Sequence, residues 1–220
     1  MKKADVIDLS HPIETGMITH PGLPGPLICD FLTREESAGR YEGGASFHIG
    51  RIDMVANTGT YIDSPFHRFA DGSDISELAL ASLVDLPCCV IHISSDAPRA
   101  ITAAAFASAD IRGKAVLVHT GWDALWGQEA YLSNNPHLTE DAAQFLVDGG
   151  AALVGIDSVN IDSLDDKRRP VHTILLGNGI PIVEHLCNLR SIDEEVRFFA
   201  APVAVRGMGT FPTRAYAIRQ

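Results

Sequence analysis

The stretch from Lys114 to Asp157 reads strand, helix, strand, and it constrains the fold more than any other part of the chain. Lys114-Ala-Val-Leu-Val-His-Thr-Gly-Trp-Asp runs apolar into a polar turn. Leu138 to Gly150 then carries the marks of a helix, with Thr139 as cap, Glu140 and Asp141 in the first turn, and Gly149-Gly150 to close it. Ala152-Leu-Val-Gly-Ile-Asp is a second buried strand. Two such strands joined through a helix make a βαβ unit, which calls for parallel pairing and places ligands beyond the carboxyl ends of its strands. His119 stands at such an end, either in a pocket or as a hydrogen-bonded core histidine.

The remaining elements extend this pattern. Val6-Ile-Asp-Leu-Ser is a short first strand that stops at His11-Pro12. Gly16 to Pro26, with its prolines and glycines, is an ordered loop that carries His20. Ser46 to Val55 alternates as a strand, and the conflict over faces around Arg51 predicts a bulge near Gly50. Ile75 to Leu86 has mixed helical spacing up to Pro87, Cys88 to Ile93 is a buried strand, and Ala100 to Ala109 is a short helix. Val171 to Leu186 reads as two apolar arms around the hairpin-type turn Gly177-Asn178-Gly179. Phe198 to Val205 is the last buried strand, and Tyr216 and Ile218 belong to a short terminal one.

A formal net charge of −11 argues against nucleic acid, since phosphate binding needs clustered Lys and Arg and Lys167-Arg168-Arg169 is too short. No apolar run is long enough to span a membrane, and the start lacks the core of a signal peptide, so a cytoplasmic protein is expected. Cys29, Cys88, Cys89 and Cys187 lack metal-type spacing, and the pair at 88 and 89 reads as buried thiols.

Chemistry concentrates in Asn57-Thr-Gly-Thr-Tyr-Ile-Asp-Ser-Pro-Phe-His67. Gly59 and Pro65 bend the chain there, so that Asn57, Thr60, Tyr61, Asp63 and His67 can face one point. Asp63 and His67 offer a hard oxygen and an imidazole, suited to zinc, manganese or general-base chemistry. His172 and Glu184, at the two arms of the later turn, complete a set of two carboxylates and two imidazoles. A glutamate entering the apolar run Ile-Pro-Ile-Val is costly unless paired or coordinated.

These residues resemble the cyclase family of metal-dependent hydrolases, which includes bacterial kynurenine formamidase and isatin hydrolase. The family mark is His-x-Gly-Thr-His-x-Asp-x-Pro-x-His. Asp8-Leu-Ser-His-Pro-Ile, Thr120-Gly-Trp-Asp, Gly155-Ile-Asp-Ser and the run from His172 through Glu184 to Asn188-Leu189 look like further landmarks, so the likeness covers nearly the whole chain. It implies the α/β class, a single domain over residues 1–220 with a mixed, barrel-like sheet and flanking helices of the swivelling type. It also implies a homodimer or larger homo-oligomer.

Carried over by position, Asp63, His172 and Glu184 are the metal ligands and His67 the acid/base. Asn57 and Tyr61 stand where two metal-binding histidines would be. An amide oxygen is a weak ligand, and a phenol binds well only when deprotonated, which in water takes a pH of about 10. Three readings follow: one divalent metal, manganese or zinc, at Asp63, His172 and Glu184; a metal-free cyclase or isomerase using Tyr61, His67 and Glu184; or a binding protein without turnover. In the first, a small amide, formamide, lactam or lactone is hydrolysed, with Tyr61 also counted as a catalytic residue. Tyr61 and Asn57 serve as oxyanion donors beside Thr60, and His20, Phe47 and Trp122 form an aromatic wall for a small flat substrate.

Overall fold

The computed structural model describes residues 5–192 and 195–220. In chain order the first elements are β1 (Val6–Asp8), β2 (Leu27–Leu32), α1 (Arg34–Ala38), β3 (Ile49–Asp53), β4 (Tyr61–Asp63) and β5 (Leu86–His92). Then follow β6 (Ala100–Ile101), β7 (Ala115–His119), β8 (His137–Leu138), α2 (Glu140–Gly149) and β9 (Leu153–Ile156). The last are α3 (Pro170–Gly177), β10 (Ile182–Glu184), β11 (Val196–Phe199), β12 (Thr210–Pro212) and β13 (Tyr216–Arg219). Nine strands form one mixed, strongly curled half-barrel sheet in the order β1-β13-β11-β5-β7-β9-β10-β4-β12. The run β5-β7-β9-β10 is parallel, and antiparallel strands extend it on both sides.

The central strand β7 explains how the sheet is buried. Val116 and Val118 face the side covered by α2 and α3, with Leu146, Val171 and Leu175. Ala115 and Leu117 face the other side, with Ile62, Val183, Leu186 and Phe198. A strand buried on both faces is apolar at every position, which is why this segment reads as a continuous run rather than an alternation. α2 ends at Gly150, whose φ of +76° is the left-handed cap that glycine adopts without strain. Thr139 occupies the opposite cap position, but its hydroxyl donates to the Ile101 carbonyl instead of capping the helix.

Several local expectations give way to tertiary contacts. Residues 170–177 form α3, not a hairpin arm: Pro170 opens the helix, and the buried Asp162 carboxylate accepts the Val171 and His172 N–H groups. Between Ile75 and Leu86 only a short 3₁₀ turn forms, and β5 already begins at Leu86, before Pro87. Ala100 to Ala109 divides into the two-residue β6 and a 3₁₀ turn. β11 ends at Phe199, so its strand does not run on to Val205. The irregularity near Gly50 is present, but the extra residue is Phe31 on the partner strand, between the pairs Asp30–Gly50 and Leu32–Ile49. Cys88 and Cys89 are half-buried rather than buried, and Cys29 is exposed.

Candidate functional site

β4 and β10 lie side by side and antiparallel, with Tyr61 opposite Glu184 and Asp63 opposite Ile182. β12 flanks β4 on its other edge and sets Thr210 opposite Asp63. Behind β4, Gly59 takes a φ of +68°, and ahead of it Pro65 starts the 3₁₀ turn that carries His67. The first turn of α3 brings His172 to the same place. Four side chains from three distant parts of the chain thus converge.

His172 is the hub of this cluster. Its Nε2 lies 3.6 Å from Asp63 Oδ2 and 3.6 Å from Glu184 Oε1, while its Nδ1 is 2.6 Å from Asp162 Oδ2. Burial opposes charge on this ring, but its hydrogen bond to Asp162 and the carboxylates of Asp63 and Glu184 beside it outweigh burial and raise its pKa. Burial raises the pKa of Glu184 as well, with His172 acting against that and Asp63 adding to it. Glu184 Oε1 accepts the Ile161 N–H at 2.6 Å, and Oε2 accepts the Tyr61 hydroxyl at 2.5 Å. Burial, then Glu184 and Asp63, push the Tyr61 phenol well above its ordinary pKa, so it stays protonated and serves as a donor.

Thr210 fixes which nitrogen of His67 carries hydrogen in the neutral ring. Its hydroxyl donates to Asp63 Oδ1, and the same oxygen lies 2.9 Å from His67 Nδ1. A hydroxyl has one hydrogen, so Nδ1 of His67 is the donor in this pair, and in the neutral ring Nε2 carries the lone pair. Nε2 lies 4.0 Å from Asp63 Oδ1. Asp63 Oδ2 is buried without a hydrogen-bond partner among the described residues.

The cluster opens into a cavity of about 370 Å³ whose lining includes His20, Asn57, Tyr61, His67, His172 and Glu184. Asp63 lies beneath it, fully buried. Three residues expected here are elsewhere. Thr60 turns away, its hydroxyl donating to the His185 carbonyl and accepting the His11 N–H. Phe47 is 52% exposed on the separate β2-β3 ribbon, edge-on to Tyr41. Trp122 is buried beside Tyr131 and Val159, its indole N–H donating to the Tyr131 carbonyl and Arg99 lying over its ring. The aromatic wall therefore reduces to His20. Tyr61, expected as an oxyanion donor, already donates its proton to Glu184.

The sequence reading missed Asn160, Asp162, Arg169, Arg68 and Thr210. Asp162 and Asn160 follow Asp157 in the loop after β9, just where the βαβ pattern puts ligand-binding residues, so that signal was available. Arg68 and Arg169 each adjoin a residue or charge run that was read, yet position alone gave them no role. The ligand atoms of Asp63, His67 and His172 lie within 4.8 Å of one another, an arrangement able to hold a metal ion. A second such group, His119, Asp123 and Asp157, sits at the ends of β7 and β9. There Asp157 accepts the Thr120 and Gly121 N–H groups, tying the two loops together.

Residues 7–163 match the Cyclase family model. Kynurenine formamidase of Bacillus cereus is 30% identical over 216 residues, covering 98% of each chain. A predicted metal-dependent hydrolase from Bacillus stearothermophilus is 26% identical, with a TM-score of 0.80 over 99% of this chain and 100% of that one. Isatin hydrolase A from Labrenzia aggregata shares the fold, with a TM-score of 0.82 at 21% identity over 98% and 93% of the two chains. Among the described residues no helix is long and apolar enough to cross a membrane.

Proposed function

The chain belongs to the cyclase family, and from that premise we propose that it is a metal-dependent hydrolase of C–N bonds in small amides, formamides or lactams, with lactones as related substrates. The observation that carries this reading is the seating of His172 Nε2 at 3.6 Å from both Asp63 and Glu184. Metal–ligand bonds of ~2.0–2.2 Å set tetrahedral neighbours roughly 3.3–3.6 Å apart, so His172 Nε2 stands at ligand spacing from each of the two carboxylates. The unpartnered, buried Asp63 Oδ2 fits the same role. Asp63, His172 and Glu184 would hold the ion. Position 61 adds no ligand, because its phenol stays protonated.

Such an ion supplies water activation and carbonyl polarisation at neutral pH. The residues of the chain do the rest. Asp162 fixes the His172 ring through Nδ1, which leaves Nε2 directed at the two carboxylates. His67, whose neutral ring presents Nε2 while Nδ1 donates to Thr210, takes a proton from the attacking water and returns it to the leaving nitrogen. Asn57, which lines the cavity, offers an amide N–H to the oxyanion. The products are a carboxylate and an amine.

Metal analysis of protein purified without added metal, paired with turnover of formanilide, a lactam and a lactone before and after chelation, tests the reading. About one equivalent of metal and turnover abolished by the chelator support it. A second reading is favoured by the Tyr61–Glu184 hydrogen bond: a metal-free proton-transfer set of Tyr61, Glu184 and His67 in a cyclase or isomerase. It predicts turnover that survives chelation. A binding protein without catalysis predicts neither tightly held metal nor turnover.

A further inference from the structure

The cavity opens past two arginines, Arg68 and Arg169. The protein carries 28 acidic residues against 17 lysines and arginines. Among the described residues some basic side chains sit on carboxylates at the surface, such as Arg168 on Asp166, Arg197 on Asp85, Arg214 on Asp8 and Lys114 on Asp110. Arg68 and Arg169 both line the cavity, and among the described residues neither has a carboxylate within ion-pair distance. The contrast is sharpest between chain neighbours, since Arg168 grips Asp166 with two guanidinium nitrogens while Arg169 grips no acid.

Arg169 is also held in place. Its Nη1 donates to the Ser163 carbonyl at 2.9 Å and contacts Asn160 Oδ1 at 3.3 Å. Its backbone sits at a φ of +52°, a conformation that costs an arginine free energy and persists only where its surroundings impose it. The loop that anchors it, residues 157–169, is the one whose Asp162 orients His172 and whose Ile161 N–H holds Glu184. Arg68 directs Nε at Thr173 Oγ1, on the first turn of α3. Nε and Nη2 of Arg169 and both Nη atoms of Arg68 have no hydrogen-bond partner among the described residues. A guanidinium fixed by one edge with the other edge open is suited to gripping a carboxylate with two parallel hydrogen bonds.

We propose that Arg169 and Arg68 form an anion subsite at the mouth of this cavity, so that the substrate carries a carboxylate besides the bond that is cleaved. The proposal deepens the hydrolase reading and rests on it for the identity of the cleaved bond. The two arginines supply the positive charge at the cavity mouth that draws in a carboxylate-bearing substrate.

Formanilide and its 2-, 3- and 4-carboxylate derivatives, the formamidobenzoates, provide the test. In the wild-type protein kcat/KM for at least one formamidobenzoate exceeds that for neutral formanilide by about tenfold or more. Arg169→Gln raises KM for that substrate by about tenfold and moves its kcat by less than about threefold, whereas KM for formanilide shifts far less. Arg169→Lys keeps part of the preference. Arg68→Gln, at an exposed side chain, gives the same split if Arg169→Gln fails to fold. Calorimetric binding of benzoate and benzamide separates this proposal from the hydrolase reading. If no formamide is turned over but benzoate still binds better than benzamide, and only while the arginines are present, hydrolysis falls and the subsite stands. The subsite is overturned if benzoate binds no better than benzamide, or if both Gln variants bind benzoate as the wild type does.

Discussion

The Tyr61 hydroxyl donates a 2.5 Å hydrogen bond to Glu184 Oε2 across the antiparallel pair of β4 and β10. Both side chains are buried, and the phenol is held protonated. Position 61 therefore gives Glu184 a donor, where an imidazole would give a metal a lone pair. Tyr61→Phe leaves Glu184 Oε2 with only the 3.4 Å contact from Asn160, and is expected to destabilise the fold by about 1–3 kcal/mol in urea unfolding. Its turnover should fall much less than that of Asp63→Asn. Equal losses in the two variants contradict the assigned roles.

Restoring imidazoles where the family mark has them adds donors that Asn57 and Tyr61 lack. Asn57→His combined with Tyr61→His is expected to raise the metal content measured by calorimetric titration from about one equivalent to about two. An unchanged stoichiometry places the missing ligands elsewhere.

Asp162 acts on the site through the His172 ring and through the first turn of α3 that carries it. Asp162→Asn weakens the 2.6 Å bond that orients the ring, and metal affinity is expected to drop by about 10–100-fold. The readout is a competition titration against a chelator. Affinity equal to the wild type's shows that packing alone orients His172.

Gly209 touches the backbone of His67, and a Cβ built there comes within 2.5 Å of His67 N and Cα. Neither atom can swing aside as a side chain would. Gly209→Ala is expected to displace His67 and lower kcat by about 10²-fold, with a stability loss of about 1–3 kcal/mol. Wild-type kcat in a folded Gly209→Ala protein removes His67 from the acid/base role.

His11 stacks on Trp126 with ring centroids 3.8 Å apart, and burial lowers its pKa to about 4 against nearby Asp123 and Asp8. Unfolded, the same imidazole takes up its proton near pH 6.5, so between about 6.5 and 4 the unfolded chain holds the extra proton. Its contribution to stability is complete above pH 6.5 and is lost as the pH falls to about 4. Trp126 fluorescence should change with a midpoint near pH 4, and the change should vanish in His11→Gln. A midpoint at 6.5 shows an exposed, unburied ring.

The chain alone determined the class of fold and much of the site's membership. Val116 to Ile156 cannot be read other than as strand, helix, strand, because continuous apolar runs, an acidic first turn and a glycine stop are local properties. Asp63 and His67 were legible as metal-suited side chains within one short motif, whereas His172 and Glu184 entered through a supposed hairpin, which the fold replaces with α3, and through the family likeness. What only the folded molecule decided depends on partners far away in sequence. α3 replaces a hairpin arm because Asp162, ten residues before His172, captures the free N–H groups of its first turn. Thr210 joins the site because β12 pairs with β4 across nearly 150 residues, and Phe47 and Trp122 leave it because their own neighbours lie on other faces. Pairing and burial between distant segments depend on the whole fold, and no local pattern encodes them.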